Sequence, residues 1–243
     1  MRAHFVWWKT WLSLASCTVL IPSLSAQTVG EGKQSPELRW GKEIKAFEEA
    51  DKTNPPPRGA NLFIGSSTIR LWTNLAQVFP RHRVINRGFG GSHLSDSVAF
   101  VDRIVTPYKP RLVFLYAGDN DIAAGKSPGR VLGDFKAFVG RIHAALPETR
   151  IAFLAIKPCP AREKFLDRVK AANRFIREYT AGNDWLLYVD TFTPMLTKDG
   201  RPRADVYVKD GLHPNAQGYA LWASILRPIL EKYDPPANGG KRL

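Results

Sequence analysis

Leu112-Val113-Phe114-Leu115-Tyr116-Ala117-Gly118-Asp119-Asn120-Asp121 carries the pattern on which the fold turns. An unbroken apolar run closes on a glycine and a cluster of acids and an amide, as a strand buried on both faces would. The same grammar extends outward in both directions. Short apolar runs stand at 61–64, 83–85, 112–116, 151–156 and 185–189. Each precedes a longer segment of helical character, at 69–79, 94–105, 128–146, 162–180 and 216–233. Buried strands alternating with helices predict an α/β domain with a doubly wound, parallel sheet. No internal repeat is visible.

Ligands of an open parallel sheet bind at the C-terminal ends of its strands. Chemistry is therefore sought just after each run. Those positions hold Gly65-Ser66-Ser67-Thr68, Asn86-Arg87-Gly88-Phe89-Gly90-Gly91, Gly118-Asp119-Asn120-Asp121 and Lys157-Pro158, and the last leads on to Asp210-Gly211-Leu212-His213. Polar residues and glycines thus converge on one edge of the sheet.

The 243 residues suffice for one good-sized core, and 44% hydrophobic with 23% charged residues is ordinary for a globular protein. The formal charge of +13 is large. It can attract polyanions, and it leaves room for peripheral contact with an anionic envelope. The basic residues are scattered, with no arm of the kind that binds nucleic acid, so a solvated surface is the simpler reading. At the N-terminus, Arg2 and Lys9 lead into a short apolar stretch that ends at Ser25-Ala26-Gln27. This describes a secretory signal peptide over 1–26, and hence a periplasmic or extracellular protein. A rival is Leu14-Ala15-Ser16-Cys17, which resembles a lipoprotein box and would lipidate Cys17. Cleavage after Ala26 removes two basic residues and leaves +11. It also leaves Cys159 as the single cysteine, which precludes an internal disulfide and reads as a packed side chain. Residues 27–57 form an N-terminal helix (36–52) and a connection through Asn54-Pro55-Pro56-Pro57, 58–234 the main domain, and 235–243 a flexible tail.

Among the histidines, His82 reads as part of an exposed turn, His93 as a loop residue and His143 as a helical surface or core-edge residue. His213 differs because Asp210 precedes it by three residues in the loop opening the last helix. One turn can set the carboxylate on Nδ1 and leave Nε2 free as a base. Alone, D-x-x-H is a weak signal. A base needs a nucleophile, and Ser67 follows the first strand through Gly65, although Ser66, Ser67 and Thr68 also suit a helix cap. Gly91 can offer a backbone N–H and Asn120 an amide N–H, the donors that an acyl-transfer oxyanion requires. The glycine loop matches neither a P-loop nor G-x-G-x-x-G, and no residue set has metal-ligand spacing beyond Asp210 and His213.

Phe63-Ile64-Gly65-Ser66-Ser67-Thr68-Ile69, Asn86–Gly91, Gly118-Asp119-Asn120-Asp121 and Asp210-x-x-His213 together resemble, in the right order, the four sequence blocks of SGNH (GDSL-like) hydrolases. The branch is that similar to platelet-activating-factor acetylhydrolase catalytic subunits, and the resemblance covers about residues 58–233. It implies a three-layer α/β/α fold with a five-stranded parallel, flavodoxin-like sheet. It further implies Ser67 as nucleophile, Asp210 and His213 as the other triad members, and Gly91, Asn120 and the Ser67 amide as oxyanion donors. No metal or cofactor is implied. One departure stands out: Ser66 occupies the place of the usual Asp, which bears on substrate preference and predicts a supporting residue hydrogen-bonded to loop backbone. The expected substrate is a small-molecule or glycan ester, chiefly acetyl. A lysophospholipid or thioester, and a non-catalytic glycan-binding role, remain the alternatives. Arg87 and Lys157, at strand ends, are candidates to meet an anionic substrate. The sequence leaves the oligomeric state open.

Overall fold

Strands β1 (Asn61–Gly65), β2 (Val84–Gly88), β3 (Leu112–Tyr116), β4 (Arg150–Leu154) and β5 (Leu186–Val189) pair in the order β2-β1-β3-β4-β5. Every neighbouring pair is parallel. The computed structural model describes Met1 and Gln34–Pro235, so the expected signal peptide beyond Met1, Cys17 and all but the first residue of the expected flexible tail fall outside the described residues. From β1 the chain steps to β2 on one side, and from β3 it runs to β5 on the other. The order reverses between β1 and β3, which makes their C-terminal ends the crevice of the sheet.

Helices α1 (Pro36–Thr53), α2 (Ser67–Arg70), α3 (Leu75–Val78), α4 (Leu94–Ala99), α5 (Val101–Ile104), α6 (Asp119–Ala123), α7 (Pro128–Ala145), α8 (Leu166–Ala181) and α9 (Ala216–Tyr233) complete the chain. Alternate strand residues face opposite layers. Leu62, Ile64, Val113 and Leu115 join a core with α1, α4, α5, α7 and α8, and Phe63, Phe114 and Tyr116 join one with α2, α3 and α9. The second core is aromatic. Phe63 stacks on Phe114 at 4.5 Å, and Trp72 meets Trp222 edge-on at 6.2 Å. Each such buried ring stabilises the fold by roughly 1.5–3 kcal/mol. This layer lies beneath the turn that carries Ser67.

The expected helix at 69–79 is in fact two short ones, α2 and α3. The amide of Asn86, on β2, donates to the carbonyls of Ile69 (2.8 Å) and Trp72 (3.3 Å), which also accept the Trp72 and Leu75 amides three residues on, in place of the four-residue spacing of an α-helix. The expected helix at 94–105 also breaks, at Phe100, whose ring packs on Phe89. The 162–180 segment opens with a 3-10 stretch, Pro160–Phe165, before α8. His82 departs from the exposed turn expected of it: its side chain is 1% exposed and sits 3.3 Å from Asp234 at the end of α9.

Candidate active site

β1 closes on Gly65, where φ is +137° and a Cβ would stand 1.8 Å from the Tyr116 carbonyl oxygen. Only glycine fits this turn. Ser66 follows as the cap residue of α2, its amide donating to the Tyr116 carbonyl at 3.0 Å. Its hydroxyl is buried and finds no partner, which corrects the expected hydrogen bond to loop backbone. Ser67, the first helical residue, points the other way, and its Oγ lies 2.9 Å from His213 Nε2.

His213 comes from the long segment between β5 and α9. Asp210 Oδ1 accepts the amides of Leu212 (2.8 Å) and His213 (2.9 Å), and its Oδ2 lies 2.6 Å from His213 Nδ1. An ionised carboxylate only accepts, so Nδ1 carries the proton and Nε2 presents a lone pair to Ser67. Slight burial pushes the Asp210 carboxyl up. The His213 amide and ring and the Leu212 amide outweigh it and bring the pKa to about 2. Helix α9, which follows this loop, docks through Tyr219, whose hydroxyl donates to the Thr68 carbonyl at 2.9 Å.

Gly91 lies beyond β2, on a loop gripped by α1. The Gly90 amide donates to Glu43 Oε2 at 2.8 Å, and the Trp40 ring occupies the space a Gly90 Cβ would need. Asp96, three residues past His93, accepts the His93 amide (2.8 Å), the Trp40 indole (3.1 Å) and Arg39. Sequence reading set α1 apart in 27–57, yet it braces this loop within the same compact unit. Asn120, on α6 after β3, donates its amide to the Ser92 carbonyl at 3.1 Å. Its Nδ2 is 3.8 Å from where a Gly91 Cβ would stand. Among the described residues, neither the Ser67 nor the Gly91 amide donates to another protein group. Ser67, His213, Asp210, Gly91 and Asn120 thus come together at the crevice.

Arg87 and Lys157 do not join them. Arg87 lies inside β2, buried against Phe47, and donates to Asp51 and to Tyr108 at the sheet edge. Lys157 has a side chain with 0% exposure, 2.8 Å from Asp119 and 2.9 Å from the Tyr116 hydroxyl. Both cations are consumed by internal carboxylates, so the expectation that they meet an anionic substrate is withdrawn. Burial works against charge on Lys157 and Asp119, but their mutual attraction outweighs it and raises the first pKa while lowering the second. Arg162 was not anticipated. It follows the fourth strand in the 3-10 stretch and contacts both Asp119 and Asn120. A basic residue in the loop after a strand is the one signal sequence offered. Among the described residues, no three His, Cys, Asp or Glu side chains converge to hold a metal ion.

No curated relative matches the chain by sequence. Solved structures share the fold. A Streptococcus pneumonia protein named for platelet activating factor superposes with a TM-score of 0.70 at 22% identity, covering 79% of this chain and 94% of its own. A GDSL-like lipase from Bacteroides thetaiotaomicron gives 0.66 at 21%, covering 80% and 97%. A catalytic mutant of an acetylxylan esterase from Geobacillus stearothermophilus gives 0.57 at 15%, covering 73% and 95%. The family model described as GDSL-like Lipase/Acylhydrolase matches residues 63–221, which include every residue of the site. The chain therefore belongs to the GDSL-like lipase/acylhydrolase (SGNH) family.

Proposed function

We propose that this acylhydrolase is an exported serine esterase that removes short O-acyl groups, chiefly acetyl, from a carbohydrate or lipid. One observation carries the reading: the unbroken hydrogen-bonded line from Ser67 Oγ through His213 to Asp210. In the proposed reaction Ser67 Oγ attacks the ester carbonyl carbon while His213 Nε2 takes its proton. The carbonyl oxygen becomes an oxyanion held by the amides of Ser67 and Gly91 and by Asn120 Nδ2. The ester C–O bond then breaks, and His213 returns the proton to the departing alkoxide. Water, deprotonated by His213, attacks the acyl-enzyme in the same way and releases the acid and free Ser67. Asp210, ionised down to about pH 2, keeps His213 in the useful tautomer throughout.

The acetylxylan esterase among the similar folds supports a glycan ester as substrate, and the basic surface suits an anionic envelope. Export rests on residues 1–26; an N-terminus near Gln27 without lipid is expected, and a diacylglyceryl group on Cys17 would overturn it. The substrate reading is tested with p-nitrophenyl esters of increasing chain length and purified protein. The account expects the highest kcat/KM on acetate, and a maximum at eight carbons or more would shift the reading to a lipid hydrolase.

A further inference from the structure

We infer that Arg162 is the positioning residue of the oxyanion site, locking the Asn120 amide so that one Nδ2 hydrogen faces the reacting carbonyl oxygen; this rests on the esterase reading above. An asparagine amide has two ends of nearly equal shape and opposite function. With Nδ2 inward it stabilises an oxyanion, and with Oδ1 inward it repels one. Two neighbours of Asn120 decide which end is which. Arg162 Nη2, which can only donate, lies 2.9 Å from Oδ1. The Ser92 carbonyl, which can only accept, lies 3.1 Å from Nδ2. Both demand the same orientation, and they leave one of the two Nδ2 hydrogens unclaimed. Asn120 Nδ2 lies beside Gly91, so that hydrogen belongs to the oxyanion site.

Arg162 is held for this task from behind. Its Nη1 makes no hydrogen bond but forms an ion pair at 3.3 Å with Asp119 Oδ2, an oxygen that Lys157 already engages at 2.8 Å. Asp119 thus has an ion pair without Arg162, whereas Asn120 Oδ1 depends on Arg162. The Arg162 amide donates to the Cys159 carbonyl at 3.0 Å, and the Ala161 amide donates to the Gly211 carbonyl at 3.1 Å. The segment therefore joins the Asn120 loop to the loop bearing Asp210 and His213. Charge points the same way. Lys157 and Arg162 with the single Asp119 carboxylate leave one net positive charge behind the Asn120 amide, polarising it toward a developing negative oxygen.

A double-mutant cycle on acetate-ester hydrolysis tests the coupling, with melting temperature as the control for folding. Asn120→Ala should lower kcat by about 10²–10³-fold. Arg162→Met should lower kcat by about tenfold or more with KM changed less than about twofold, and Arg162→Lys should recover part of that loss, because the charge returns without the planar fork. In the Asn120→Ala background, Arg162→Met should cost almost nothing further, since its partner is gone. Losses that multiply in the double mutant, a loss confined to KM, or full activity in Arg162→Met would each overturn the inference while leaving the esterase reading intact. If Arg162→Met does not fold, the cycle is run with Arg162→Lys, and the same multiplication of losses overturns it. Full activity in Ser67→Ala would instead overturn the esterase reading, and this inference with it.

Discussion

The site has two halves built on opposite plans. Ser67 and Asn120 stand past the ends of β1 and β3, adjacent strands in the middle of the sheet. Asp210 and His213 stand on a loop, and the Asp210 side chain is 46% exposed. In the first half, position comes from long-range packing: Lys157 under Asp119, Asn86 on the Ile69 and Trp72 carbonyls, α1 on the Gly90 amide. In the second, it comes from bonds within four residues. The difference teaches that, in the proposed reaction, the nucleophile and its oxyanion donors would share the rigidity of the sheet, while the acid–base pair would be prefabricated locally and docked. Damage to the first half should reach folding. Damage to the second should reach turnover first.

The largest effect is common to both halves. Ser67→Ala and His213→Ala should each lower kcat by several orders of magnitude, on the order of 10⁴–10⁶, and the double mutant should be little worse. Losses that multiply would show that the two residues do not act as one unit. Next comes Asp210→Asn, which should lower kcat by about 10²–10⁴-fold through the wrong imidazole tautomer, with the fold intact. The Asp210 carboxyl is depressed in the folded protein, so its contribution is whole above about pH 4, where an unfolded aspartate is ionised. It is lost only as pH falls through about 2. Asp210 should accordingly add no step to the acid limb of kcat/KM above about pH 3. A two-proton limb would mean that Asp210 is not held as the structure has it.

Smaller in turnover but larger in stability is Lys157→Met. It leaves Asp119 with the longer Arg162 pair alone, in a site where the lysine is 0% exposed. Breaking a buried pair from one side costs about 3–5 kcal/mol, read from a denaturant titration. A Lys157 variant as stable as the parent would erase the distinction between the halves.

Legibility in the sequence follows the same division. The 112–116 strand and the 216–233 helix have the ends that periodicity predicts. Asp210 and His213 were readable because their pairing is local, and Ser67 because Gly65 marks a strand end. Gly91 and Asn120 needed the whole set of blocks. The 69–79 segment divides into two helices where the side chain of Asn86, from the next strand, binds two of its carbonyls, a contact no local pattern announces. Arg87 and Lys157 were misplaced for a related reason. A strand-end position does not say which buried carboxylate, Asp51 or Asp119, will claim the cation. His82 and the brace of α1 on the Gly90 loop depend likewise on partners distant in the chain.

Ser66 and Ser67 are neighbours with opposite surroundings, and one labelling experiment decides between them. Ser66 is fully buried with an unpartnered hydroxyl, whereas Ser67 is half-buried with its hydroxyl 2.9 Å from His213 Nε2. The measurement is mass spectrometry of the peptide spanning both serines after reaction with a fluorophosphonate. The account predicts a single adduct on Ser67, retained in Ser66→Ala with most of the activity and absent in Ser67→Ala. An adduct on Ser66, or an active enzyme that takes no label, would contradict it.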